Sequence, residues 1–78
     1  MRQKLYVDAY VLYREAISST KNQSYLVKFK LNLAIVCLKL NLIKEYGENI
    51  SSVLEIEPSN IKAIYHQAKY HVLKGKYD

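Results

Sequence analysis

Pro58-Ser59-Asn60 separates two stretches whose apolar residues recur every three or four positions, and few folds accommodate that arrangement. Before it, Ile43, Tyr46, Ile50, Val53 and Leu54 share one helical face. After it, Ile61, Ile64, Tyr65, Ala68, Val72 and Leu73 do the same. Proline has no N–H to donate and disfavours helical geometry in the residue before it, so the helix over Ile43–Ile56 must stop ahead of Pro58. Asn60 is then placed as the N-cap of a helix running to Gly75, a suitable terminating glycine. Two helices joined by so short a turn fold back on each other.

The rest of the chain follows the same pattern. From Leu5 to Ser18, the residues Leu5, Ala9, Leu12 or Tyr13, Ala16 and Ile17 fall at helical spacing and predict a first helix with one buried face. Ser18 to Ser24 gathers polar residues whose side chains compete for backbone hydrogen bonds, which predicts a loop. Ser24 to Leu40 is apolar on more than one side: Leu26, Phe29, Leu33, Val36, Cys37 and Leu40 form a stripe that Ala34 and Leu38 widen. Such a helix is covered by neighbours on two faces. Asn41 breaks the pattern, and Gly47, costing roughly 1 kcal/mol inside a helix, marks a place where another helix comes close. With no alternating strand pattern and no Asn-Gly hairpin signal, the chain reads as all-α.

Composition narrows the possible partners and setting. A domain of 78 residues buries only about 60% of the surface its unfolded chain exposes, so its stability is expected to be marginal. No apolar run approaches the ~20 residues needed to cross a bilayer, and Asp8 stands where a secretory signal would be apolar. A single Cys37 cannot form an internal disulfide, which points to a reducing, cytoplasmic setting. Twelve Lys and Arg against seven Asp and Glu give a formal charge of +5 and favour acidic partners.

The helices also repeat. Tetratricopeptide repeats are about 34 residues long and run W-x2-L-G-x2-Y, then A-x3-F, then a late Pro. With that Pro on Pro58, the repeat begins at Val27, Leu33 takes the Leu position and Ala34 the small one; Ala68, 34 residues on, takes the small position again. Gly75 and Tyr77 then fall on the inter-helix turn and the start of a following helix. Tyr6, Ala9, Tyr13 and Ala16 match the second-helix pattern, with three extra residues in the loop before Val27. Tyr46 stands where Ala is usual, and Lys30, Cys37 and His71 replace expected aromatics. The chain resembles a tetratricopeptide-repeat array: antiparallel helix pairs stacked as a right-handed superhelix. About residues 3–18 would be the second helix of one repeat, 24–57 a complete repeat, and 60–75 the first helix of the next. A partial array lacks helix neighbours at both ends, so apolar strips should be left bare and the chain should self-associate or exchange helices between copies.

Leu31 to Leu40, Val53 to Asn60 and Asn60 to Ala68 are similar to the array of FKBP-type immunophilins and aryl-hydrocarbon-receptor-interacting co-chaperones. In that family the concave groove grips the acidic C-terminus of heat-shock chaperones, ending Glu-Glu-Val-Asp, and a prolyl isomerase domain lies upstream. The resemblance places Asn32 on the second-repeat clamp Asn and Lys62 on the third-repeat Lys, while His66 stands where the family has Arg. The first-repeat pair would lie upstream of Met1. Projection of the first helices puts Lys28, Asn32, Ile35, Lys39, Lys62, Tyr65, His66 and Lys69 on the groove side. Ammonium groups and an amide suit a carboxylate-bearing peptide, although imidazole lacks the bidentate fork of Arg. If His66 binds as imidazolium, affinity should rise as pH falls through about 6.5.

Simpler readings stand beside these. Lys28, Lys39 and Lys69 also fit a solvated face, and Cys37 fits a small core side chain. His66 and His71 are five residues apart, which is not the metal-binding step, so neither a metal nor another cofactor is expected. The tyrosines fall at packing positions. No nucleophile elbow, phosphate-cradling loop or paired carboxylates in an apolar pocket are present, so this segment is not expected to be an enzyme. The expected role is a co-chaperone docking module. The alternatives are a repeat scaffold anchored by Ile35, Tyr65 and Val72 without a clamp, and a nucleic-acid binder that charge alone supports and that is not expected.

Overall fold

The structure is a computed structural model and describes residues 2–77. Four helices follow one another: α1 (Arg2–Ser19), α2 (Gln23–Lys39), α3 (Ile43–Ile56) and α4 (Ile61–Tyr77). There is no strand among the described residues. Each helix packs on the next, α1 on α2, α2 on α3 and α3 on α4. The Cα envelope measures 35 × 35 × 16 Å, which is two helix layers thick. The chain is thus an all-α array of antiparallel helix pairs, with α2 and α4 along one face and α1 and α3 along the other.

The breaks between helices have local causes. Asn22 caps α2, its Oδ1 accepting from Tyr25 N at 3.1 Å, so the predicted loop is only Thr20–Asn22. At the other end of α2, Asn41 has φ 64°, the Leu42 N–H reaches Cys37 O at 2.8 Å, and the Asn41 N–H reaches Leu38 O at 3.1 Å. That pair of bonds is a Schellman ending, with Asn tolerating the left-handed position. α3 ends at Ile56, as Pro58 requires, and Asn60 Oδ1 accepts from Ala63 N at 2.9 Å to cap α4. Gly75 does not stop α4, which continues to Tyr77. No glycine has positive φ, and open space around Gly75 leaves nothing to force a turn there.

The core is built from α2 and α3. Val27, Leu33, Ala34 and Cys37 of α2 cluster with Tyr46, Ile50 and Val53 of α3, and α4 adds Ala63; Val36 of α2 is buried outside that cluster. α2 is covered on two sides, as its wide apolar stripe predicts, with Tyr13 and Phe29 packing across from α1 at 6.4 Å between ring centroids. Gly47 is a close approach: a Cβ there would come within 2.7 Å of Tyr70 Cδ1 and nearer still to Cε1 and Cζ. A glycine lets α4 bring its aromatic ring directly onto the α3 backbone.

α1 buries most of the face that periodicity picks, whereas α4 turns a different face inward. On α1, Tyr6, Ala9, Tyr10, Tyr13, Ala16 and Ile17 are partly buried, while Leu5 and Leu12 are exposed. On α4, Ala63, His66, Tyr70 and Leu73 face α3, and Ile61, Ile64, Tyr65, Ala68 and Val72 are left in solvent. Both helices carry two apolar faces and have a neighbour for only one, so the expectation that bare strips remain at both ends holds. No helix among the described residues is long and apolar enough to cross a membrane.

Candidate functional site

Successive turns of α2 present Lys28, Leu31, Asn32 and Ile35, and the first turns of α4 present Lys62 and His66. These six side chains line a cleft of about 270 Å³ between the two helices. Leu31 and Ile35 give it apolar surface, the two lysines give positive charge, and no carboxylate lines it. Its size is below the usual range for small-molecule pockets, so it suits one or two side chains of an extended segment. Five of the eight residues projected onto the groove side from the sequence, Lys28, Asn32, Ile35, Lys62 and His66, are brought together here.

Lys39, Tyr65 and Lys69 are not among the lining residues. Tyr65 is largely exposed, its ring lying edge-on to His66 at 5.1 Å, and Lys69 is exposed one turn along α4. Leu31 joins the cleft although sequence reasoning did not select it. Its place one residue before Asn32 on a helix covered from two sides was the available signal.

His66 is held from within the fold. Its Nδ1 lies 2.8 Å from the hydroxyl of the buried Tyr46, and that hydroxyl also lies 3.2 Å from the His66 carbonyl oxygen. The Tyr46 ring meets the imidazole edge to face at 5.8 Å and 87°. Tyr46, which stands where the resembling repeat pattern has Ala, and His66, which stands where the resembling clamp has Arg, are therefore in direct contact. A phenol has one proton to give. Given to the carbonyl, it leaves the phenol oxygen to accept from Nδ1–H, and neutral Nε2 is then a bare acceptor. Given to Nδ1, it leaves the N–H on Nε2. In the imidazolium both nitrogens carry protons, and only the first arrangement survives: Nδ1–H to phenol oxygen, phenol O–H to carbonyl. Burial, with the Lys69 charge adding to it, lowers the His66 pKa below its ordinary value. Burial also pushes the Tyr46 phenol up to about 12.

A second cavity, of about 610 Å³, lies on the opposite face between α1 and α3. Arg14, Ile17, Ser18, Leu33, Lys44, Glu45, Glu48 and Asn49 line it. Glu45 organises its edge: Tyr10 donates to Glu45 Oε2 at 2.7 Å, Arg14 donates to the Tyr10 hydroxyl at 2.9 Å, and the Cys37 thiol lies 3.9 Å from the same carboxylate oxygen. Burial first, then the Glu45 charge, raises the Cys37 thiol to about 11 and keeps it protonated. The carboxylate bond raises Tyr10 likewise. With acids and bases mixed along its wall, this cavity has no preference for either sign of ligand. It joins residues far apart in the chain and so leaves no periodic signal along it.

No group of three or more His, Cys, Asp or Glu able to hold a metal ion occurs among the described residues. Comparison with protein-family models, with curated proteins and with solved structures returned no match.

Proposed function

We propose that this chain is a protein-docking module of the tetratricopeptide type and that the cleft between α2 and α4 grips the acidic C-terminal tail of a heat-shock chaperone. One observation carries the reading: Lys28, Asn32, Lys62 and His66, contributed by two helices, converge on a small cleft with an apolar wall and no acid. An extended peptide ending in carboxylates has the complementary chemistry. Lys62 and Asn32 would meet the terminal carboxylate, Lys28 a second acidic group, and Leu31 with Ile35 an apolar side chain between them. His66 serves where a guanidinium would be stronger, since it supplies at most one donor to the ligand while Nδ1 is engaged with Tyr46. On this reading the chain binds and does not catalyse. Its setting is the cytoplasm, beside an FKBP-type isomerase domain in a co-chaperone.

The exposure of Ile35, Tyr65 and Val72 supports a second reading, a scaffold that docks another protein segment through apolar contacts alone. A calorimetric titration separates the two. The chain is titrated with an acidic peptide ending Glu-Glu-Val-Asp and with the same peptide amidated at its C-terminus. Saturable binding lost on amidation supports carboxylate recognition, and Lys62→Glu should abolish it. Equal binding of both peptides, or no binding of either, rejects the clamp.

A further inference from the structure

A buried phenol must place its proton. Tyr46 is fully buried, and its hydroxyl has two acceptors within reach on His66: Nδ1 at 2.8 Å and the main-chain carbonyl oxygen at 3.2 Å. The two are not equivalent. A hydroxyl donor usually lies about 2.5–3.0 Å from an oxygen acceptor, so the carbonyl is beyond the ordinary reach. His66 also sits inside α4, where its carbonyl accepts from the N–H four residues on along the helix. Nδ1 has no partner of that kind, and without the phenol it would be left unsatisfied where it meets α3. Burial holds the phenol up at about 12, so at neutral pH there is a proton to give.

The consequence falls on the other side of the ring. A neutral imidazole carries one proton, and with Nδ1 accepting, that proton is on Nε2. His66 lines the α2–α4 cleft while Nδ1 is taken up by Tyr46, so Nε2 is the nitrogen left to serve a ligand. The cleft's other polar side chains are the ammonium groups of Lys28 and Lys62 and the amide of Asn32. An Nε2–H adds one more donor to that set, whereas a bare Nε2 would set a lone pair against an incoming carboxylate. The imidazole is also held edge-on to two rings, Tyr46 at 5.8 Å and Tyr65 at 5.1 Å. The charged groups around it, Lys28 on α2 with Lys62 and Lys69 on α4, are all cations, and α3 contributes the Tyr46 phenol.

We propose that Tyr46 is a positioning residue of the cleft: by giving its proton to Nδ1 it fixes neutral His66 with Nε2–H toward the ligand, so that an imidazole meets a carboxylate without first becoming charged. The identity of the ligand rests on the peptide-docking reading. The tautomer belongs to the free chain and is measured without any peptide.

Long-range proton–nitrogen NMR of the whole chain at about pH 8, where imidazole is neutral, reads the tautomer. In the wild-type chain Nε2 of His66 should carry the proton, and the Nδ1 resonance should be displaced from that of a free imidazole acceptor. In Tyr46→Phe, which keeps the ring, Nδ1 should return to the position of an unbonded nitrogen. Calorimetric titration with the peptide ending Glu-Glu-Val-Asp follows at the same pH. Tyr46→Phe should weaken binding about two- to tenfold, the worth of one neutral hydrogen bond, and should add nothing in a chain already carrying His66→Ala. A Tyr46 that only packs would weaken both backgrounds alike. If Tyr46→Phe does not fold, the wild-type tautomer and its Nδ1 displacement decide alone. Nδ1–H in the wild-type chain, or equal weakening in both backgrounds, overturns the inference while leaving peptide docking intact. Nε2–H in a chain that binds no peptide instead refutes the docking reading, and with it the role of the donor.

Discussion

Replacing Gly47 with alanine sets two terms of opposite sign against each other. Inside a helix, alanine is favoured over glycine by about 1 kcal/mol, and on an open surface the substitution would stabilise the fold by that amount. Here the added Cβ would stand 2.7 Å from Tyr70 Cδ1 and closer still to two further ring atoms. These atoms belong to a rigid ring whose other contacts include the Tyr46 ring at 6.3 Å between centroids, so relief requires α4 to shift on α3. Overpacking of this kind costs about 1–3 kcal/mol, and with three ring atoms involved the upper part of that range applies. The net expectation is a loss of about 1–2 kcal/mol, which for a domain this small lowers Tm by roughly 4–8 °C per kcal/mol. The assay is urea and thermal unfolding of a double-mutant cycle: wild type, Gly47→Ala, Tyr70→Ala and the double variant. With Tyr70 truncated the clash is gone, and Gly47→Ala should change sign and stabilise by about 1 kcal/mol. A gain in stability with Tyr70 present would show that the ring yields freely, and the argument for close approach would fail.

Asn60→Ala should destabilise the chain by about 1 kcal/mol, because it removes the acceptor held at 2.9 Å by Ala63 N; denaturant titration reads this, and an unchanged midpoint would deny the cap its role. For His66, the folded state binds the imidazole proton more weakly than the unfolded chain, whose pKa is near 6.5. Its contribution to stability is therefore whole above that value and is lost as pH falls through the lower folded pKa. Affinity for a carboxylate-ended peptide should move the other way over the same window, tightening as the imidazolium forms. A pH series of calorimetric titrations and unfolding curves measures both, and His66→Gln should flatten them; identical pH profiles for the two chains would rule out the imidazolium.

The breaks and the central core were legible because single residues determine them. Pro58 ends α3, Asn60 caps α4 and Asn41 takes the left-handed position, each through chemistry confined to a few neighbouring atoms. The stripes of α2 and α3 were legible because each of those helices packs against a helix before it and a helix after it. On α1 and α4, periodicity showed that apolar faces exist but could not show which face is covered, since that depends on what lies alongside. Leu5, Ile61 and Val72 were expected inside and lie outside for this reason, while of the pair Leu12 or Tyr13 it is Tyr13 that turns inward. Gly75 was expected to end α4, and the helix runs past it to Tyr77 because Gly75 does not take the positive φ of a terminating glycine. Five cleft residues could be placed from helix projection alone, whereas the Tyr46–His66 bond joins positions 20 residues apart and leaves no periodic trace.

The uneven distribution of buried side chains has a dynamic consequence. Of the nine apolar residues buried among the described residues, five lie on α2, three on α3, one on α4 and none on α1. Resistance to opening follows buried contacts, so the middle pair should exchange its amide hydrogens slowest and the outer helices should open first. The cleft spans this gradient, with one wall on the firmly held α2 and the other on the loosely held α4. A peptide bridging Asn32 and Lys62 would spend part of its binding energy in fixing α4. Occupancy would then register as slower exchange along Ile61–Tyr77, well beyond the atoms the peptide touches.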